Sequence, residues 1–178
     1  MDMSMSIYLT NLGKYNEGYL IGKWVKLPVA EDKLDEVLEE IGINEEYEEY
    51  FITDYETDLD GMRDVIGEYT SVVALNELAE LIDNLSEADE EKLGAILECE
   101  SCRSISGVAE LIEQLDNYDL LCGIEDDEAL GYYFADELCC LEIPENIKSY
   151  FDYEAYGRDI RLEGNITYTS FGCLLDNR

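Results

Sequence analysis

Acidic and apolar residues alternate along the whole of this chain, and any fold it adopts must bury the second while keeping the first in water. There are 44 Asp and Glu against 11 Lys and Arg, with no histidine, for a formal net charge of -33 over 178 residues. Self-repulsion on that scale opposes compaction, so folding alone does not account for it. Residues 1–61 carry 16 acids and 4 bases, 62–115 carry 13 and 3, and 116–178 carry 15 and 4. An acidic disordered tail concentrates its charge and lacks Leu, Ile, Val and Tyr. Here those residues recur between the acids throughout, so the charge belongs to folded surfaces.

The same balance selects the partner. DNA-binding proteins neutralise phosphates with Lys and Arg and release counterions, which a chain this acidic cannot do. Direct nucleic-acid binding is excluded, and a protein that itself binds DNA is the better fit. The opening MDMSMSIYLTNLG lacks a basic, then apolar, leader pattern, and no stretch approaches 18 uncharged apolar residues. The expectation is a cytoplasmic protein with no membrane segment and six reduced, mostly packed cysteines.

Read for organisation, the chain gives an α+β fold in three small parts in an elongated row. SIYLTN and GYLIGKWVKLPV read as strands separated by the turn-prone GKYNEG. Leu34, Val37, Leu38 and Ile41 then fall on one helical face, opposite Asp35, Glu36, Glu39 and Glu40, and Gly42 stops the helix. YEEYFITDYE returns to a strand, completing a sheet-plus-helix domain over 1–62. Three amphipathic helices with Thr70, Ser71, Ser86 or Ser104 as N-caps fill a helical middle domain over 63–116. An α/β domain over 117–178 follows, with a helix from about Asp126 to Leu141, a shorter one opened by Pro144, and a hairpin about Gly164 and Asn165.

Catalytic and metal motifs are weak. CESC at 99–102 would need two more ligands for zinc, and with no histidine those would have to be cysteines. Glu56, Asp58, Asp60 and Gly61 match the start of a calcium loop, but Gly67 stands where its bidentate Glu belongs. No phosphate loop, dinucleotide fingerprint or nucleophile elbow is present. The reading is of a non-enzyme with no cofactor. Fourteen tyrosines against four phenylalanines fit half-buried rims that pack a ring and wet a hydroxyl. They could also hold carboxylates on a firm surface for a partner.

B-DNA carries about one charge per 1.7 Å of axis, so 33 charges match roughly 56 Å of duplex, or about 16 base pairs. At this point IYLTNLGKYNEGYLIGKWVKLP, INEEYEEYFITDYE, EYTSVVALNELAEL and IPENIKSYFDYEAYGRDIRLEG resemble the ArdA antirestriction proteins over most of the chain. The resemblance implies an elongated homodimer, carried on mobile genetic elements, that mimics B-form DNA. It implies a type I restriction-modification enzyme as partner, inhibited without catalysis by occupation of its DNA-binding groove. The family's antirestriction motif is similar to the stretch holding Leu141, Glu142, Pro144, Tyr150, Asp152, Tyr153 and Glu154, with dimerisation through the C-terminal part.

On this reading the phosphate-mimicking acids are Asp35, Glu36, Glu39 and Glu40 on the early helix and Glu45, Glu46, Glu48 and Glu49 beside it. Glu87, Asp89, Glu90 and Glu91 follow midway, and Asp126, Asp127 and Glu128 later. The alternative is a general acidic interaction module for basic nucleic-acid-binding proteins, which shares the composition.

Overall fold

The computed structural model describes residues 4–178, with the backbone alone at Asp60. Its α+β architecture divides into two compact units. The first comprises 1–90 and 100–113, the second 91–99 and 114–178.

The first unit is built on an antiparallel sheet of order β2-β1-β3, from β1 (Met5–Asn11), β2 (Gly22–Leu27) and β3 (Tyr50–Thr57). Period-two alternation in β1 sends Met5, Ile7 and Leu9 into the core, where Val25, Leu27 and Ile52 join them. On the opposite face Tyr8 stands across from Trp24 in the β1–β2 register, their rings edge to face at 5.3 Å. A bulge between Tyr8 and Leu9 shifts the β1–β3 register, and Thr10 and Thr53 hydroxyls bond at 2.7 Å beside it. The GKYNEG segment, expected as a turn, holds most of a short helix, α1 (Leu12–Asn16). Asn11 is the reason: its side chain accepts from Lys14 N and caps that helix.

The helix foreseen after β2 is α2 (Glu31–Glu40). Leu34, Val37 and Leu38 are half-buried and Ile41 is buried, and the chain reverses at Gly42 with φ +83°, a left-handed conformation that glycine adopts without cost. The three middle helices also form: α3 (Val72–Asp83), α4 (Glu87–Cys99) and α5 (Ile105–Glu113). Ser71, Ser86 and Ser104 each accept from the amide three residues on, at 3.3, 3.2 and 3.1 Å. Thr70 does not cap α3; its hydroxyl accepts from Gly67 N at 2.7 Å. Helix α3 packs on α5 and β2, and Met62, Leu75, Leu78 and Val108 lie at the centre of burial.

The second unit holds the sheet β4-β6-β5, from β4 (Tyr118–Leu121), β5 (Ile166–Thr169) and β6 (Gly172–Asp176), again antiparallel. Ile124, Leu130 and Cys173 form its core with Leu121, Phe134, Ile160, Ile166 and Leu175 around them. Residues 93–97 of α4 are all buried, and Gly94 lies so near the Phe171 ring that a Cβ there would be 2.6 Å from it. Helix α6 (Asp127–Tyr132) is capped by Asp126, but it gives way to a π-helical turn over Tyr133–Glu137. The helix expected to reach Leu141 therefore stops early, with Cys139 at φ +52° past its end.

Two further expectations are corrected. Pro144 opens only a turn and a 3-10 segment over Lys148–Tyr150. The helix proper, α7 (Tyr153–Glu163), starts where Asp152 accepts from Ala155 N at 2.9 Å, because a side-chain cap supplies what proline's fixed φ does not. The closing hairpin turns at 170–171 between β5 and β6, not at Gly164 and Asn165, which only link α7 to β5. At that turn Thr169 Oγ1 donates to Gly172 O and accepts from Phe171 N. Among the described residues, no helix is long and apolar enough to cross a membrane.

Candidate functional site

The densest acidic surface of the first unit is α2 and the loop after it. The helix carries six acids against Lys33 alone, a net of -5 over roughly 15 Å at 1.5 Å per residue. That is one charge in about 3 Å, close to the about 3.4 Å per phosphate of a single DNA strand. Asp35, Glu36, Glu39 and Glu40 are all exposed, as the half-buried apolar face requires. Two of the four are partly neutralised: Glu36 pairs with Lys33 at 2.7 Å and Glu40 with Lys23. Glu45, Glu46, Glu48 and Glu49 are exposed beside Tyr47. Among the described residues Asp35, Glu39 and these four have no ion-pair partner.

Largely neutral contacts, with one ion pair, hold this acidic surface in place. The fully buried Asn11 side chain donates from Nδ2 to Ile41 O and Gly42 O, both at 3.1 Å, fixing the end of α2 to the end of β1. Asn44 Oδ1 accepts from Glu46 N and Tyr47 N. Tyr47 lays its ring against Gly13, where any Cβ would collide, and donates its hydroxyl to Glu17 Oε1 at 2.8 Å. Lys14 Nζ bonds both Tyr47 and Glu17, and these contacts raise the Lys14 pKa and lower that of Glu17. A recess of about 440 Å³ between α1 and the loop is lined by the four glutamates. Here the tyrosine acts as a strut for carboxylates.

The midway group is less uniform. Glu87 is exposed, whereas Asp89, Glu90 and Glu91 are half-buried in the first turns of α4. Asp89 accepts from Ser86 Oγ at 2.7 Å, so it also serves as a cap partner.

In the second unit, Asp126 and Glu128 are exposed and Asp127 is half-buried. Asp126 is the N-cap of α6, accepting from Ala129 N at 2.8 Å. Asp127 receives Arg161 Nε at 2.7 Å, Arg161 Nη2 at 3.1 Å and the Tyr168 hydroxyl at 2.8 Å. The Arg161 bonds, with Tyr168 adding, hold its carboxyl below the usual carboxylate range. The sequence put it among acids facing outward, and nothing in its neighbourhood along the chain announces a partner 34 residues away.

Leu141, Glu142, Pro144 and Tyr150 lie on the exposed, loosely wound segment between the π turn and α7. Tyr150 is 86% exposed. Asp152 caps α7, Glu154 is exposed in its first turn, and Tyr153 turns inward to donate to Asp136 at 2.7 Å. Lys148 meets the same Asp136 at 2.9 Å. The Tyr153 bond, with Lys148 adding, holds Asp136 below its ordinary range. The segment is thus fastened at Asp136 and, through the Phe151 ring against Tyr153 and Tyr156, at the start of α7.

Behind it α6 and α7 meet backbone to backbone. A Cβ on Gly131 would strike Tyr153 O, and one on Gly157 would strike Asp127 O. This seam was not foreseen, although two glycines inside helical stretches were its visible sign.

No disulfide joins the six cysteines, and they are not mostly packed as expected: Cys99, Cys122, Cys139 and Cys140 are exposed and Cys102 is half-buried. Burial pushes the Cys173 thiol up to about 11. Among the described residues, no three or more Cys, Asp or Glu converge as a metal-binding group.

What fold and surface define together is an acidic α+β protein whose charge is carried on capped helices and strut-held loops. The family model described as Antirestriction protein (ArdA) matches residues 7–174 of the chain. The chain belongs to the ArdA family: it is an antirestriction protein, and membership implies interaction with restriction enzymes. No curated protein matches the sequence.

Proposed function

We propose that this protein inhibits type I restriction-modification enzymes by mimicking B-form DNA, its exposed carboxylates occupying the positions of phosphates in the enzyme's DNA-binding groove. One observation carries the reading: α2 exposes acids at close to the charge spacing of a DNA strand, with its apolar side turned into the fold. The partner groove is lined with Lys and Arg that pay no desolvation cost beyond what duplex DNA already demands of them. Inhibition of this kind is competitive and involves no turnover. The active species is a homodimer joined through the C-terminal part, and the protein itself binds no nucleic acid.

The test is displacement of a labelled duplex from a purified type I enzyme by the intact protein. Displacement that weakens as salt rises is the expected result. Cleavage inhibited with the duplex still bound would overturn the mimicry. Equal binding to unrelated basic proteins, such as histones or lysozyme, would favour the general acidic module.

A further inference from the structure

The second unit contains a recess of about 780 Å³ that shares Asp126 and Glu128 with its acidic surface and Tyr153 with the segment before α7. Tyr132, Tyr133 and Tyr153 contribute aromatic walls, Asp126, Glu128 and Glu137 contribute carboxylates, and no Lys or Arg lines it. Tyr132 and Tyr153 have their ring centroids 5.5 Å apart and tilted by 53°. Glu128 and Tyr132 are one turn apart on α6, on the same face. Glu128 and Glu137 are exposed, and among the described residues neither has an ion-pair partner.

The protein already shows what that combination of groups holds. Arg161 lies 5.6 Å from the Tyr168 ring centroid while bonding Asp127 at 2.7 Å. Arg178 lies 4.8 Å from the Tyr118 ring centroid while bonding Asp176 at 2.8 and 2.9 Å. Each time a guanidinium lies over a tyrosine ring while bonding a carboxylate. That suits a planar, weakly hydrated cation with a fork of donors. The recess brings tyrosines and carboxylates together with no Lys or Arg in its lining.

We propose that this recess is a binding site for an arginine side chain of the protein partner, taken between Tyr132 and the carboxylates of Glu128 and Glu137. The charge of the lining selects a cation and the flat aromatic walls select guanidinium over ammonium. The inference rests on the reading above only in saying whose arginine it is. On an interface bound by many weak, exposed charge contacts, a recess that combines a ring with two carboxylates is where a single side chain acquires a large effect.

The test uses the full-length protein with N-acetyl-arginine amide as probe, followed by amide chemical shifts at physiological salt. N-acetyl-citrulline amide serves as the neutral isostere and N-acetyl-lysine amide as the ammonium control. Arginine-specific shifts confined to residues 120–137 and 153, saturating at millimolar probe, are expected. Tyr132→Ala, and separately Glu128→Gln with Glu137→Gln, should weaken the probe at least five-fold. Glu77→Gln with Glu110→Gln removes two exposed acids of the first unit and should leave probe binding unchanged.

Shifts scattered over the acidic surface, equal response to lysine and arginine, or equal loss in the control pair would overturn the proposal. So would a change of oligomeric state in Tyr132→Ala, which would make a second copy of the chain the occupant. A variant that binds no probe yet melts at the wild-type temperature has lost the site and not the fold. Specific arginine binding alongside failure to displace duplex from the enzyme would retain the site and reject the mimicry. Duplex displacement with no arginine binding would do the reverse.

Discussion

Asn11 donates its side-chain amide to the carbonyl of Ile41 at 3.1 Å, thirty positions along the chain, with no part of the asparagine exposed to solvent. The same amide reaches Gly42 O, and its oxygen caps α1 through Lys14 N. One neutral side chain thus ties the end of β1, the start of α1 and the end of the acid-bearing α2. Asn11→Leu would leave the buried Ile41 carbonyl, and the half-buried Gly42 carbonyl and Lys14 amide, without this partner. A loss of about 2–3 kcal/mol is expected, read as a lower urea midpoint with an unchanged m-value.

The α6–α7 seam gives a sharper expectation. Gly157→Ala places a methyl group on Asp127 O, and backbone on both sides must move to admit it. Overpacking of this kind costs about 1–3 kcal/mol. The variant should melt several degrees lower, whereas Gly123→Ala, with nothing within 4 Å of the new Cβ, should show only the smaller strain of its positive φ.

Acid should act in two directions. Lowering pH from 7 towards 5 begins to discharge exposed carboxylates and relieves self-repulsion, so stability should hold or rise. Asp127 and Asp136 have folded-state pKa values depressed below their unfolded ones. Their contribution is therefore present above the ordinary Asp pKa and is lost as pH falls through the lower, folded value. A stability maximum on the acid side of neutrality is expected, followed by a steep loss below about pH 4. In Asp127→Asn that acid limb should be shallower, as chemical unfolding at a series of pH values would register.

Exposed acids should act by accumulation. At about 0.5 kcal/mol for each exposed charge contact, Glu39→Gln alone should change the competition constant by little more than two-fold. Neutralising Asp35, Glu36, Glu39 and Glu40 together should cost about 2 kcal/mol, or roughly thirty-fold. A single one of these substitutions that abolished inhibition in a folded protein would contradict the shared-charge account.

Where local chemistry decides, the sequence was an adequate guide. The face of α2, its stop at Gly42 and the serine caps of α3, α4 and α5 all follow from residues within a few positions of one another. Where a distant partner decides, it was not. Asn11 turns a turn-prone segment into a helix by capping it, and its own burial depends on Ile41 and Gly42. Asp152, by contrast, is a local signal outweighed by Pro144: its cap on Ala155 N starts α7 nine residues past the proline. Asp127 reads as one more acid beside Asp126 and Glu128 until Arg161 and Tyr168 reach it across the unit. Counting carboxylates identifies the surface in bulk, but it cannot separate those that cap or brace the fold from those left over for a partner.

An exposed glutamate can be exchanged for an aspartate with little effect on the fold beneath it, so the acidic coat has latitude to vary. Positions 131 and 157 have no such latitude, since each already carries the smallest residue there is and backbone fills the space beyond it. Variation is therefore channelled outward, leaving an inner hinge-free joint on which differing arrangements of charge can be tried.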